Sequence, residues 1–128
     1  MKTKNILISG FVILFLMQSK LYAQEKWHLW HKEKGVSLYY AYIPETKYGD
    51  YPYFLLKVVN NAPREMSMYA KFDLVNDAGQ PVTNYDPINV NIPKGKSIII
   101  RRRPFTVTHD LVKKYGNIRL SYRNLWIR

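Results

Sequence analysis

Residues Met66 to Val75 read MSMYAKFDLV. Met66, Met68, Ala70, Phe72 and Leu74 fall on one side of a two-residue period, and Ser67, Tyr69, Lys71 and Asp73 fall on the other. Successive side chains of a strand point to opposite faces, so this spacing predicts a strand with one buried and one polar face. A helix would mix the two sets around its axis.

The same period recurs on both sides. Tyr53 to Asn60 places Phe54, Leu56 and Val58 opposite Lys57, and Ile88, Val90 and Ile92 alternate with Asn89 and Asn91. Val36 to Ile43, Ser97 to Arg103 and Ile118 to Ile127 complete a set of about six strands, with a further one expected near Pro104 to Thr108. Asn60-Asn61-Ala62-Pro63, Asn76-Asp77-Ala78-Gly79, Pro93-Lys94-Gly95 and Tyr115-Gly116-Asn117 supply the turn residues between them. His109 to Tyr115 invites one helical turn, with Asp110 near its positive end and Lys113 and Lys114 near its negative end. Trp27 to Lys34 reads equally as a lead-in strand or a covering loop. With no repeat and no linker, the region is one all-β sandwich of about six to seven antiparallel strands. Its expected core is Phe54, Leu56, Val58, Met68, Phe72, Leu74, Val90, Ile98, Ile100, Leu120 and Tyr122.

Leu56-Lys57-Val58-Val59-Asn60-Asn61, the alternating strand from Met66 and Ile92-Pro93-Lys94-Gly95-Lys96-Ser97 together resemble the immunoglobulin-like or fibronectin-type-III-like modules of bacterial envelope proteins. The resemblance covers roughly residues 36–128, and the inter-sheet cysteine pair of antibody domains is missing. It implies binding, spacing or assembly and names no ligand.

The N-terminus carries an address. Lys2 and Lys4 precede an apolar run from Ile6 to Met17, and Ala23 offers a small residue at a cleavage point before Gln24. This is the layout of a secretory signal peptide. The run is shorter than the roughly 20 apolar residues a spanning helix needs. Residues 1–23 are therefore expected to be a cleaved leader and 24–128 the mature domain, without a transmembrane span. The chain has no cysteine, whereas small secreted animal domains often depend on disulfides. A mature chain of about 105 residues can bury enough surface to fold without them. Periplasm or outer cell surface of a Gram-negative bacterium is the expected compartment. Lys2, Lys4 and Lys20 would leave with the leader, taking the formal net charge from +11 to +8.

Catalytic patterns are sparse. There is no cysteine nucleophile and no Gly-x-Ser-x-Gly turn, and Ser37, Ser67, Ser97 and Ser121 lack a neighbouring histidine in sequence. Glu45, Asp50, Asp77 and Asp86 fall in expected loops, where carboxylates are usually solvated. His28, His31 and His109 with Asp110 could in principle hold zinc, but no further ligand completes a set, and surface histidines are the plainer reading. No enzyme activity, cofactor or metal is expected.

Two surfaces remain. Arg101 and Arg103 share one face of their strand, and Arg119 and Arg123 share one face of theirs. If the strands shared a sheet, four guanidiniums would face outward, suited to a carboxylate-rich or phosphate-rich partner. The alternative is a solvated face that deters edge pairing. Tyr39, Tyr48, Tyr51 and Tyr53, near the loop from Pro44 to Pro52, form a candidate aromatic surface for a glycan or a protein. Basic charge with aromatics would suggest nucleic acid in a cytoplasmic protein, and export argues against that partner. The expected function is thus a non-catalytic binding or assembly module. It would dock onto an envelope protein or membrane complex with an anionic surface. A cell-surface glycan-binding module is the alternative, and a small hydrolase or inhibitor ranks below both.

The leader reading has a direct check. Mass spectrometry of the protein from its native host should give a chain beginning at Gln24, and a full-length mass retained in membranes would contradict it.

Overall fold

The computed structural model describes residues 26–44 and 51–128, with the backbone alone for 101–104. The leader with its cleavage point, Tyr48, Glu45 and Asp50 lie outside the described residues. Seven strands and one helix follow in order: β1 (His28–Glu33), β2 (Val36–Ile43), β3 (Tyr53–Asn60), β4 (Met66–Val75), β5 (Ile88–Ile92), β6 (Ser97–Thr106), α1 (His109–Tyr115) and β7 (Arg119–Ile127). One sheet has the order β1-β2-β3-β6 and the other β5-β4-β7, all pairs antiparallel. The fold is an all-β sandwich.

Alternation located β2 to β5, and the charges at its two ends located α1, at their observed bounds. The strand expected separately near Pro104 is the continuation of β6, which runs to Thr106. Its register jumps from Leu56↔Ile100 to Phe54↔Phe105, so Arg101 to Pro104 stand opposite Leu55 alone. Beyond this irregularity Phe105 returns to the core, packed against Phe72 and Tyr85.

Between the sheets lie Leu38, Leu56, Val58, Met68, Phe72, Leu74, Ile92, Phe105 and Ile127, all buried. Of the expected core, Val90, Ile98, Ile100, Leu120 and Tyr122 are only half-buried, though they pack against it. They sit on β5, β6 and β7, each at the edge of its sheet, where a side chain has a neighbour strand on one side only.

Asn60 ties the sheets together at one end. It is completely buried. Its amide nitrogen donates to the carbonyls of Arg64 (2.9 Å) and Ile92 (2.8 Å), and its Oδ1 accepts the Ala62 N–H (2.8 Å). Its own N–H donates to the Lys96 carbonyl, and its carbonyl accepts from Gly95. One side chain thus holds the β3–β4 and β5–β6 connections together. The β1–β2 hairpin packs on the same knot. Lys34 and Gly35 form its two-residue loop with φ of 54° and 79°, the positive values a type I′ turn needs. The Gly35 carbonyl accepts the Asn61 N–H, and a Cβ at Gly35 would lie 3.1 Å from Ala62.

Alternation puts Lys71 and Asp73 on the outer face of β4, yet Asp73 is buried. The connection from Pro81 to Tyr85 runs back along β4 and covers it. Lys71 Nζ donates to Asp73 (3.1 Å), to Asn84 Oδ1 (3.0 Å) and to the Tyr85 carbonyl, and Asp73 also accepts the Tyr85 N–H (3.2 Å). Burial pushes the Tyr85 hydroxyl above its ordinary pKa; a hydrogen bond with Thr83 lowers it in part, and the Asp73 charge adds to the rise.

Replacing Asn60 by Ala takes the acceptor from the buried Ala62 N–H and the side-chain donor from the buried Ile92 and part-buried Arg64 carbonyls. Each such group costs about 1–3 kcal/mol, so Asn60→Ala should lose about 3 kcal/mol or more in denaturant unfolding. A loss below about 0.5 kcal/mol, the range of ordinary surface substitutions, would contradict this role.

Candidate functional site: an aromatic cleft between the sheets

The site is built from the segment that sequence left undecided. Residues 28–33 form β1, and the register shifts between Leu29↔Tyr39 and His31↔Leu38, leaving Trp30 as a bulge. A bulge bends its strand and re-aims side chains. Here it breaks the two-residue period, so that His28, Trp30 and His31 all reach inward. His28 stacks on Tyr40 (5.2 Å), Trp30 meets Tyr122 edge-on (4.6 Å) and lies 6.1 Å from Phe72, and His31 Nδ1 lies 3.4 Å from the Tyr122 hydroxyl. β1 and β7 therefore meet across the mouth of the sandwich at Trp30, His31 and Tyr122.

Towards α1 the two strands part. A cleft of about 490 Å³ opens there, lined by His28, Leu29, Trp30, Tyr40, Phe54, Arg119 and Leu120. It continues into a second hollow of about 390 Å³ that shares His28, Tyr40 and Phe54 and reaches Tyr42, Val112 and Ile118. Among the described residues neither lining contains a carboxylate. Leu29 (56 %), Tyr42 (47 %) and Val112 (46 %) are among the most exposed large apolar residues of the described ones; Leu29 stands at the cleft and the other two at its continuation. Thr108 caps α1 by accepting the Leu111 N–H, which fixes the helix that carries Val112.

The four arginines do not share a sheet face. β6, which carries Arg101 and Arg103, is in the four-stranded sheet, and β7, which carries Arg119 and Arg123, is in the other. Side-chain alternation fixes faces within a strand and says nothing of which strands pair, and here β6 pairs with β3 and β7 with β4. The side chains of Arg101 and Arg103 lie outside the described ones. Arg119 and Arg123 do share the outer face of β7. One donates to the Asn76 carbonyl (3.3 Å), and the other, well exposed, lies 3.6 Å from Asp73.

The tyrosines also divide. Tyr39 and Tyr53 lie on the outer face of the first sheet, opposite Lys57 and Ile43 respectively. The Lys57 ammonium covers the Tyr39 ring at 5.3 Å and the Trp27 ring at 4.8 Å. Tyr51 precedes β3 and meets His109 edge-on. The aromatics that gather in one place are Trp30, Tyr40, Tyr42 and Phe54. Tyr40 and Tyr42 have the parity of Leu38, a signal that assigns them inward. Trp30 gave no such signal, because the bulge removes its period.

On the outside of the second sheet a second bulge falls at Asn124, whose φ of 56° suits an asparagine. It places Trp126 beside Tyr69, stacked at 5.3 Å, with Arg128 over the indole at 4.1 Å. These ring faces are occupied by one another. His31 is paired with Glu33 (2.9 Å), and among the described residues no three His, Asp or Glu side chains gather as a metal group would. No helix of the described residues is long and apolar enough to cross a membrane.

Comparison with protein-family models, curated proteins and solved structures finds no match.

Proposed function

We propose that this is an exported, non-catalytic binding module that docks onto another protein of the bacterial envelope through the cleft between β1 and β7. The observation that carries the reading is the exposure of Leu29, Tyr42 and Val112 around an aromatic floor. Exposed apolar residues scattered singly are ordinary, whereas a group of them around a concave lining marks an interaction site. The basic balance of the chain favours an anionic partner and speeds encounter with it.

A protein partner suits this cleft better than a glycan. Sugars stack on open aromatic faces, and here Trp30 and Tyr40 stand edge to face at 63° while His28 covers Tyr40. Tyr39 is likewise covered by Lys57.

The test is recovery of partner from solubilised envelopes with tagged mature protein, wild type against Leu29→Gln/Val112→Gln. Both positions are exposed, so the fold should keep its thermal stability while recovery falls about tenfold, the effect of about 1.4 kcal/mol. Equal recovery by the two proteins would contradict docking at the cleft.

A further inference from the structure

We propose that the outer edge of β7, from Arg119 to Tyr122, accepts an added strand: an extended, acidic segment of the partner whose alternate side chains enter the cleft. This rests on the cleft being the docking site. Among the described residues β7 pairs with β4 alone, so its other edge has no strand beside it. An unpaired edge is a template for main-chain hydrogen bonds, and strand addition is a common way for proteins to take up extended peptides.

The cleft lies along this edge. Leu120 and Arg119 line one wall, Ile118 continues it towards α1, and β1 forms the opposite wall with His28, Leu29 and Trp30. A strand laid beside β7 would point every second side chain inward, level with Ile118 and Leu120, which line the cleft and its continuation. Those inward positions meet Tyr40, Phe54 and Trp30 and call for apolar residues. The intervening side chains would point outward, on the face that carries Arg119 and Arg123, with Lys113 and Lys114 of α1 exposed close by in sequence. Those outward positions call for carboxylates. The recognised segment therefore alternates apolar and acidic residues.

Charge also rules against a second copy of this chain as the occupant. Two β7 edges paired with each other would bring Arg119 and Arg123 rows side by side, between molecules of formal net charge +11 each before leader removal. Like charges facing each other across strands are destabilising. Cations on an edge strand deter self-pairing, and here they leave the edge open to an acidic partner.

The probe is a short synthetic peptide of alternating valine and glutamate, added to the mature protein and followed by amide chemical shifts and hydrogen exchange. Two control peptides are used: the same composition with valines and glutamates in separate blocks, and the alternating sequence N-methylated at every second residue. Binding of the alternating peptide should slow exchange of β7 amides. N-methylation, which removes backbone donors worth about 1 kcal/mol each, should weaken binding at least about tenfold, and the blocked peptide should bind as weakly. Strand addition is overturned by no binding, by equal binding of all three peptides, by shifts away from β7, or by pairing of β7 with β7 of a second copy. If partner recovery from envelopes still depends on Leu29 and Val112 while no peptide adds to β7, strand addition falls and docking stands. Recovery indifferent to Leu29 and Val112 overturns docking itself.

Discussion

The buried amide of Asn60 is the constraint on which the arrangement of the sheets depends. Burying an amide without partners costs several kcal/mol, and this one is fully satisfied by atoms from three places in the chain: Ala62, Arg64 and Ile92. Two of these belong to the turn into β4, and the third to the end of β5. Both connections pass from one sheet to the other or back, so a single side chain sets how the two sheets begin their approach. The hairpin loop at Lys34 and Gly35 is drawn into the same knot through Asn61, and a side chain at Gly35 would crowd Ala62.

A sandwich closed at one end and lined by edge strands elsewhere has a seam. On the side of β6 and β5 the seam is shortened by the Asn60 contacts. On the side of β1 and β7 it is bridged at Trp30, His31 and Tyr122 and, from the hairpin loop, by Lys34 donating to the Ile127 carbonyl, and towards α1 it opens into the aromatic cleft. The bulge at Trp30 makes the bridge, because it turns the indole and His31 inward together; beyond it Leu29 and His28 pair again with β2 and form the wall of the opening. The docking proposed for this molecule thus occupies the place where the fold stops covering its own core.

Much of the fold was legible because two-residue alternation is strong wherever a strand has one buried face. Met68, Phe72 and Leu74 show it, and β2 to β5 stand where it puts them. What alternation cannot carry is pairing. Arg101 and Arg119 have matching local patterns, yet one strand lies beside β3 and the other beside β4. Bulges hide for a related reason: at Trp30 and Asn124 one extra residue reverses the parity, so a segment such as 28–33 matches neither strand nor helix. Asp73 reads as an outer-face carboxylate because the covering segment from Pro81 to Tyr85 has no periodic signature of its own. Asn60 read as a turn residue at a strand end, and only the three-dimensional placement of Arg64 and Ile92 shows it as a clamp.

Hydrogen exchange at the clamp tests this account most directly. If Asn60 holds the two connections in the native state, its side-chain NH₂ protons and the backbone amides of Asn60 and Ala62 should exchange only through global unfolding, as slowly as the centre of β3. Exchange of those protons at the rate of exposed turns such as Asn76–Gly79, with β3 still protected, would show that the end of the sandwich opens on its own and that Asn60 does not hold it.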